Sequence, residues 1–153
     1  LLYDRNCFAN VALPLEINNM SFSDMNRRVS QIFIEGARNN KELYVEGIDE
    51  KLDFTYVDDL ADGLILSATK KRGINQTFNL TCGKGRKLID FIKILKKYYP
   101  KLQYKIKSKD KSKPSRGTLS ISKAKKLLNY KPKVSLELGI KKYVNFLDKI
   151  NSN

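Results

Sequence analysis

The sequence predicts an α/β fold in which short strands alternate with amphipathic helices. Hydrophobic residues make up 41% of the 153 residues, enough for one ordinary domain with a buried core. Some segments repeat apolar residues at the 3.6-residue spacing of a helix, while others alternate apolar and polar residues as a half-buried strand does. Because these two patterns follow each other along the whole chain, helices packed against sheets are favoured.

The first half of the chain is expected to form the series helix, strand, strand, helix, at residues 23–39, 43–46, 52–57 and 58–73. The carboxylate of Asp58 or Asp59 is expected to cap the second helix by accepting free N–H groups of its first turn. Its inward face is predicted to carry Leu60, Leu64, Ile65 and Ala68. Residues 1–22 give no comparable pattern.

The second half is predicted to contain strands at 77–81 and 102–107, a helix between them that ends at Pro100, and helices at 120–129 and 135–147. Residues 108–117 form a basic loop with proline and glycine. This half holds 24 Lys/Arg and 4 Asp/Glu, a net charge of +20, against −6 for residues 1–62. Such a surface attracts sugar nucleotides, nucleic acid or acidic membranes, or is simply a solvated lysine-rich face.

Several site classes are excluded by composition. Histidine is absent, which removes the commonest general base and the commonest zinc ligand, and no metal site is predicted. Cys7 and Cys82 form neither a disulfide framework nor a Cys-x-x-Cys motif, so reduced thiols and a cytoplasmic location are expected. No apolar run is long enough for a transmembrane helix, and Asp4 and Arg5 interrupt any signal peptide.

The most suggestive cofactor motif is Gly83-Lys84-Gly85, which follows a predicted strand and opens a helix. A dinucleotide-binding turn needs a third glycine at position 88, which is Leu88, so no cofactor-binding residue is assigned. Two interpretations stay open, a plain strand-to-helix turn or a phosphate site at the helix N-terminus.

Proton transfer to a sugar hydroxyl by a tyrosine needs a lysine four residues later on the same helical face. None of the eight tyrosines has a lysine at that position. No catalytic residue is therefore assigned to this chain.

Taken together, an ordered set of segments resembles the extended short-chain dehydrogenase/reductase family, and within it the NAD-dependent epimerases/dehydratases of the UDP-glucose 4-epimerase type. The segments are LYVEG (43–47), LDFTYVDDLADG (52–63), TFNLTCG (77–83), SRGTLSISKA (115–124), LLNYKPK (127–133) and SLELGIKKY (135–143). The resemblance covers about residues 27–147.

The resemblance implies a fold and partners. In this family a Rossmann-type N-terminal domain binds NAD(P) and a smaller C-terminal lobe binds a nucleotide sugar. The present chain would supply that lobe at residues 27–150, with a few orphan elements of the Rossmann sheet, an unassigned segment at 1–26 and a tail at 151–153. It would depend on a missing N-terminal domain, and full-length members would form homodimers without membrane contact.

The resemblance also implies which residues bind the nucleotide sugar. The nucleotide would pack on a helix and a neighbouring strand, and its phosphates would meet basic residues before the DF pair and before the SKA helix. Leu52 replaces the arginine that the family has before the DF pair, with Lys51 beside it. The implied substrate-binding set is Arg27, Arg28, Tyr44, Glu46, Lys51 and Arg116.

Three functions stay open at this point. The chain is a substrate-binding part of an epimerase, dehydratase or reductase that is not catalytic by itself, or a basic nucleic-acid-binding module, or a non-catalytic interaction protein. Nucleic-acid binding would fall steeply with salt. It is not favoured, because the sequence has no recognition motif and few aromatic residues within its basic stretches.

Overall fold

The computed structural model describes residues 29–112, 115 and 117–150. Within them the helices are α1 (Val29–Arg38), α2 (Val57–Thr69), α3 (Leu88–Tyr98), α4 (Ser122–Leu128) and α5 (Leu136–Ile150). The strands are β1 (Leu43–Glu46), β2 (Lys51–Asp53), β3 (Gly85–Lys87) and β4 (Tyr104–Lys107), and a 3-10 turn spans Lys71–Gly73. The predicted α/β class is confirmed.

Some predictions fall on residues outside this described part of the chain. They concern the unassigned segment 1–26, the first residues of the helix predicted at 23–39, and the tail 151–153. Arg27, Arg28 and Arg116 also lie there, so half of the implied substrate-binding set is not described.

The strands form two small two-stranded sheets. Strands β1 and β4 run parallel, with Leu43 opposite Tyr104 and Glu46 opposite Lys107. Strands β2 and β3 run antiparallel, with Lys51 opposite Lys87. Parallel neighbours need a long crossover connection. Here the chain between β1 and β4 contains β2, α2, the 3-10 turn, β3 and α3.

The main core lies between α1, α3, α5 and the inner face of β1. Phe91 of α3 is its centre and is fully buried. The ring of Phe91 lies 6.0 Å from that of Phe33 in an edge-to-face arrangement, and 5.2 Å from that of Phe54. These geometries let the positive ring edges meet the negative faces, so the three rings fix how α1 and β2 sit on α3.

A second, smaller core joins α2 to α4. Its buried members are Ile121, Ala124, Leu128 and Tyr130. Gly63 allows tight packing in this core, because a Cβ at that position would lie 3.0 Å from both the Leu80 side chain and the Tyr130 ring. A glycine there lets α2 approach Tyr130 without displacing a buried ring.

The strand predicted at residues 77–81 is wrong. This segment has no regular secondary structure, and its backbone pairs with no described strand. The β-prone residues are present, but a strand needs a partner, and β2 is paired with β3 instead. The predicted strand at 52–57 is also shorter, because only Lys51–Asp53 joins the ladder.

Helix α2 differs from its prediction in its cap and in its buried face. It starts at Val57, so Asp58 and Asp59 lie inside the first turn and cap nothing. Leu64 and Ile65, predicted to face inward, are 55% and 61% exposed. The helical period was correct, but the side that carries Gly63 is the one that meets the described core.

No helix among the described residues is long and apolar enough to cross a bilayer. The same residues contain no group of acidic or cysteine side chains arranged to hold a metal ion.

Candidate functional site

The outer face of the β1–β4 sheet carries the first of the implied substrate-binding residues. Tyr44 is 53% exposed, and the Lys107 ammonium lies 4.3 Å from the centroid of its ring. Beside it, Lys105 forms an ion pair of 2.9 Å with Glu42. The hydrogen bond from Lys105 is the main cause that lowers the pKa of the Glu42 carboxyl. The result is an exposed aromatic surface bordered by cations.

Glu46 lies on the same face of β1, two residues after Tyr44. One of its carboxylate oxygens accepts the backbone N–H of Asp110 at 3.0 Å. This contact holds the start of the basic loop against the end of β1. Glu46 therefore has a positioning role that the sequence did not suggest.

A second contact fixes the same loop. The Lys109 ammonium lies 3.0 Å from a Glu50 carboxylate oxygen and also donates to the Ser115 hydroxyl. Both side chains of the ion pair are more than two-thirds buried, which reduces screening by solvent relative to an open surface pair. Two glutamates, Glu46 and Glu50, thus hold Lys109 and Asp110 beside the sheet.

Lys51 lies on β2, in the other sheet, and is exposed. It makes no ion pair with a described residue, whereas its ladder partner Lys87 pairs with Asp49 at 2.8 Å. Asp49 raises the pKa of the Lys87 ammonium. Lys51 therefore keeps its charge available at the surface.

The basic loop links the two sheets. Its Asp110 is tied to Glu46, and further on the Thr118 hydroxyl packs over Gly85, where a Cβ would collide with it. That same Cβ would lie 3.6 Å from the Cβ of Lys51. The structure thus places Tyr44 and Glu46 on one strand, and Lys51 beside the segment that follows position 116.

The Gly83-Lys84-Gly85 turn does not fit a dinucleotide. Gly83 has φ +70°, and its N–H donates to a buried Asp53 oxygen at 3.1 Å. A Cβ at Gly83 would lie 2.8 Å from the Ile121 side chain, so this side of the turn is filled. The described residues therefore offer no cradle for NAD at this turn.

The helix N-terminus at this turn has contacts within the chain. The N–H groups of Leu88 and Ile89 at the start of α3 donate to the carbonyls of Glu50 and Ile48, at 3.1 and 3.0 Å. The N–H of Lys87 donates to the Asp90 carboxylate at 3.3 Å. These three donors are therefore already used by the chain, which favours the plain strand-to-helix turn over a phosphate site.

Asp59 ties distant parts of the chain together. It is 2% exposed, and its two carboxylate oxygens accept the backbone N–H groups of Lys133 and Val134 at 2.8 and 2.9 Å. The neighbouring Asp58 is exposed and forms an ion pair of 3.1 Å with Lys142. The contacts of Asp58 and Asp59 are thus structural: Asp59 joins α2 to the segment before α5, and Asp58 joins α2 to α5.

The fold of the described chain is similar to that of solved enzymes. The chain is similar to the UDP-glucose 4-epimerase of Thermotoga maritima, solved with UDP-glucose, at 32% identity and a TM-score of 0.72 over 81% of the chain. It is also similar to the UDP-glucuronic acid 4-epimerase of Bacillus cereus, solved with UDP-glucuronic acid and NAD, at 25% identity and a TM-score of 0.73 over 80% of the chain. In each case the match covers 40% of the larger chain.

Sequence comparison finds relatives of the same kind as these solved enzymes. The chain is 40% identical over 117 residues to a UDP-glucuronate 4-epimerase of Thermodesulfobacterium geofontis, covering 74% of this chain and 36% of the relative. The chain belongs to the NAD-dependent epimerase/dehydratase family. It corresponds to the C-terminal half of these proteins.

The epimerase/dehydratase relationship covers only part of each relative. The chain spans about a third of the length of the curated relatives it matches. No protein-family model matches the sequence. The family assignment therefore depends on the relatives and solved structures, and it covers only the matched part of each of them.

Proposed function

We propose that this chain is the nucleotide-sugar-holding lobe of an NAD-dependent epimerase/dehydratase and acts together with a dinucleotide-binding domain. The observation that carries the proposal is the exposed Tyr44 ring beside the Lys107 ammonium, at a strand whose following segment is held by Glu46 at Asp110 and by Glu50 at Lys109. The solved neighbours that share this fold include enzymes crystallised with UDP-glucose, or with UDP-glucuronic acid and NAD.

The proposed roles follow from side-chain chemistry. The exposed Tyr44 ring offers a flat face for the nucleoside, and Lys51 offers a positive charge for the diphosphate. Arg27, Arg28 and Arg116 belong to the same proposed set, because a guanidinium matches a phosphate with two parallel hydrogen bonds. Glu46 is proposed to act indirectly, by holding Asp110 through its backbone N–H.

The lobe is proposed to leave the redox chemistry to its partner. NAD, bound by the companion domain, supplies hydride transfer. Because this sequence has no Tyr-x-x-x-Lys pair, the proton-transfer groups are assigned to the companion as well. The chain's own residues bind and orient the nucleotide sugar.

The contact surface for the companion is proposed to lie on α2 and the segment after it. Leu64, Ile65 and Ile74 expose apolar side chains there. Residues 77–81 have a strand-like sequence, but their backbone pairs with no described strand. Exposed apolar groups beside an unpaired backbone edge are features that a neighbouring sheet would cover.

Tyr44→Ala is expected to weaken the binding of UDP-glucuronic acid by about 5- to 150-fold, because stacking of a base on an aromatic ring contributes about 1–3 kcal/mol. Tyr44→Phe keeps the ring and is expected to bind nearly as the unchanged chain does. Calorimetric titration in the presence of a dinucleotide-binding domain measures the effect.

The matched control is Tyr98→Ala, which removes another exposed tyrosine, at the end of α3. It is expected to change the affinity by less than about twofold. Equal affinities for the Tyr44→Ala and Tyr98→Ala variants would show that the β1 face does not hold the nucleotide.

A further inference from the structure

A second basic region lies away from the Tyr44 face, in a cleft between the C-terminal ends of α2 and α4. The cleft has a volume of about 350 Å³. It is lined by Lys70, Lys71, Arg72, Lys126, Leu127, Leu128 and Asn129. Four of these seven residues are cations, and none is acidic.

The charge of this cleft follows from two acid-free stretches of sequence. No Asp or Glu occurs between Asp62 and Asp90, or between Asp110 and Glu137. The packing of α2 on α4 brings these stretches together. None of the four cations forms an ion pair with a described residue, unlike Lys133, which reaches Asp62 at 3.3 Å. Counter-charge in the cleft must therefore come from outside the described chain.

Helix ends alone do not account for four cations. The C-terminal carbonyls of a helix attract positive charge, but here several of them are already satisfied. The N–H of Lys70 donates to Leu66 at 3.0 Å, and the N–H of Asn129 donates to Lys125 at 3.1 Å. The cations thus repel one another across a concave surface with little local compensation.

The triplet 70–72 is also held in place. Gly73 is buried, and a Cβ there would collide with the backbone carbonyl oxygen of Ser67. The N–H of Gly73 donates to the carbonyl of Lys70 at 2.8 Å, which closes the 3-10 turn. Because the turn is pinned to α2, the three cations project from an ordered backbone, which lowers the entropy cost of binding a ligand.

We propose that this cleft binds an oligophosphate, either as an inorganic chain or as the phosphate tail of a nucleoside triphosphate. Several linked phosphates match several cations around one cleft, and Arg72 can donate two parallel hydrogen bonds to one phosphate group. The cleft is separate from the nucleotide-sugar surface, since it shares no residue with it.

A compact phosphate ligand fits the cleft better than a nucleic acid does. Single strands bind along grooves where aromatic rings alternate with cations, and no aromatic side chain lines this cleft. The two leucines form its apolar part, and Leu127 is partly exposed.

Titration of the full chain with sodium tripolyphosphate at fixed ionic strength tests the proposal. In the Lys71→Ser/Arg72→Ser variant the dissociation constant is expected to rise at least about tenfold. The control variant, Lys97→Ser/Lys101→Ser, removes the same charge from an exposed region elsewhere and is expected to change it less than about twofold. Parallel titrations with ATP and UTP distinguish the two sources, because a nucleoside contact would tighten binding beyond that of tripolyphosphate.

Two further readouts separate this site from the nucleotide-sugar site. Tyr44→Ala is expected to leave tripolyphosphate binding unchanged, and Lys71→Ser/Arg72→Ser is expected to leave UDP-glucuronic acid binding unchanged. Equal weakening of tripolyphosphate binding by Lys71→Ser/Arg72→Ser and by Lys97→Ser/Lys101→Ser would overturn the proposal. Binding would then come from diffuse electrostatic attraction to the basic surface. Absence of tripolyphosphate binding to the unchanged chain would overturn the proposal too. So would displacement of tripolyphosphate by a DNA 20-mer in both double variants, because DNA would then be the preferred ligand of a diffuse basic surface.

Discussion

Asp59→Ala is expected to lower the free energy of unfolding by about 2–4 kcal/mol, because it leaves one buried and one part-buried N–H donor without their acceptor. These donors belong to Lys133 and Val134, and Val134 is part of the main core. A loss of this size is a large share of the roughly 5–15 kcal/mol by which domains are stable. Urea unfolding of the full chain measures it.

The adjacent carboxylate provides the control. Asp58→Ala removes an exposed ion pair with Lys142 and is expected to cost less than about 1 kcal/mol. Asp59→Asn keeps one acceptor oxygen and should fall between the two. If Asp59→Ala were no more destabilising than Asp58→Ala, the hydrogen bonds between Asp59 and residues 133 and 134 would not be a main link between α2 and the segment before α5.

Ile65→Asp is expected to weaken association with a dinucleotide-binding domain at least about thirtyfold, since placing an unpaired charge in an apolar contact costs several kcal/mol. Ile65 is 61% exposed, so the change should leave the fold of the lobe intact. The N-terminal part of the Thermodesulfobacterium geofontis relative, supplied as a separate chain, serves as the companion in a surface-binding assay.

Leu138→Asp is the matched control for this second prediction. Leu138 is 42% exposed on α5, which is not part of the proposed contact surface. It should change the association by less than about twofold. Similar losses for the two variants would argue against α2 as the contact surface.

The elements that the sequence predicted best are those whose pattern is complete within a few residues. The strand at 43–46 and the long helices around Phe91 and Ile140 were confirmed. The strand predicted at 102–107 is present only at Tyr104–Lys107, and its predicted inward residue Ile106 is 60% exposed. In each confirmed element the apolar period and the chain breakers lie inside the segment. Local patterns are sufficient there because the core that they face belongs to this same chain.

The errors share a cause, which is that the deciding partner lies far away in sequence. The segment 77–81 has strand-like residues but no described strand beside it, and the apolar face of α2 is exposed for the same reason. Asp59 looked like a helix cap because its true partners, at 133–134, are more than seventy residues away. Residue type alone does not reveal such pairings.

The candidate site was predicted through resemblance, and only part of it is described. Tyr44 is exposed and Lys51 is unpaired among the described residues, as a binding surface requires, although their contacts with a ligand are still proposed. Glu50 and Lys109 were missed, because ordering a loop leaves no motif in the sequence. The absence of cofactor-binding residues at the Gly83 turn stays a prediction, which depends on the missing third glycine at position 88.

Hydrogen exchange at the backbone amides of Phe78, Asn79 and Leu80 tests the central claim most directly, which is that this lobe closes against a dinucleotide-binding domain. In the chain alone these amides should exchange rapidly, because they pair with no described strand. Adding the companion domain should slow their exchange strongly while amides of α5 stay unchanged. Protection of residues 78–80 in the chain alone, or unchanged exchange in the complex, would contradict the account.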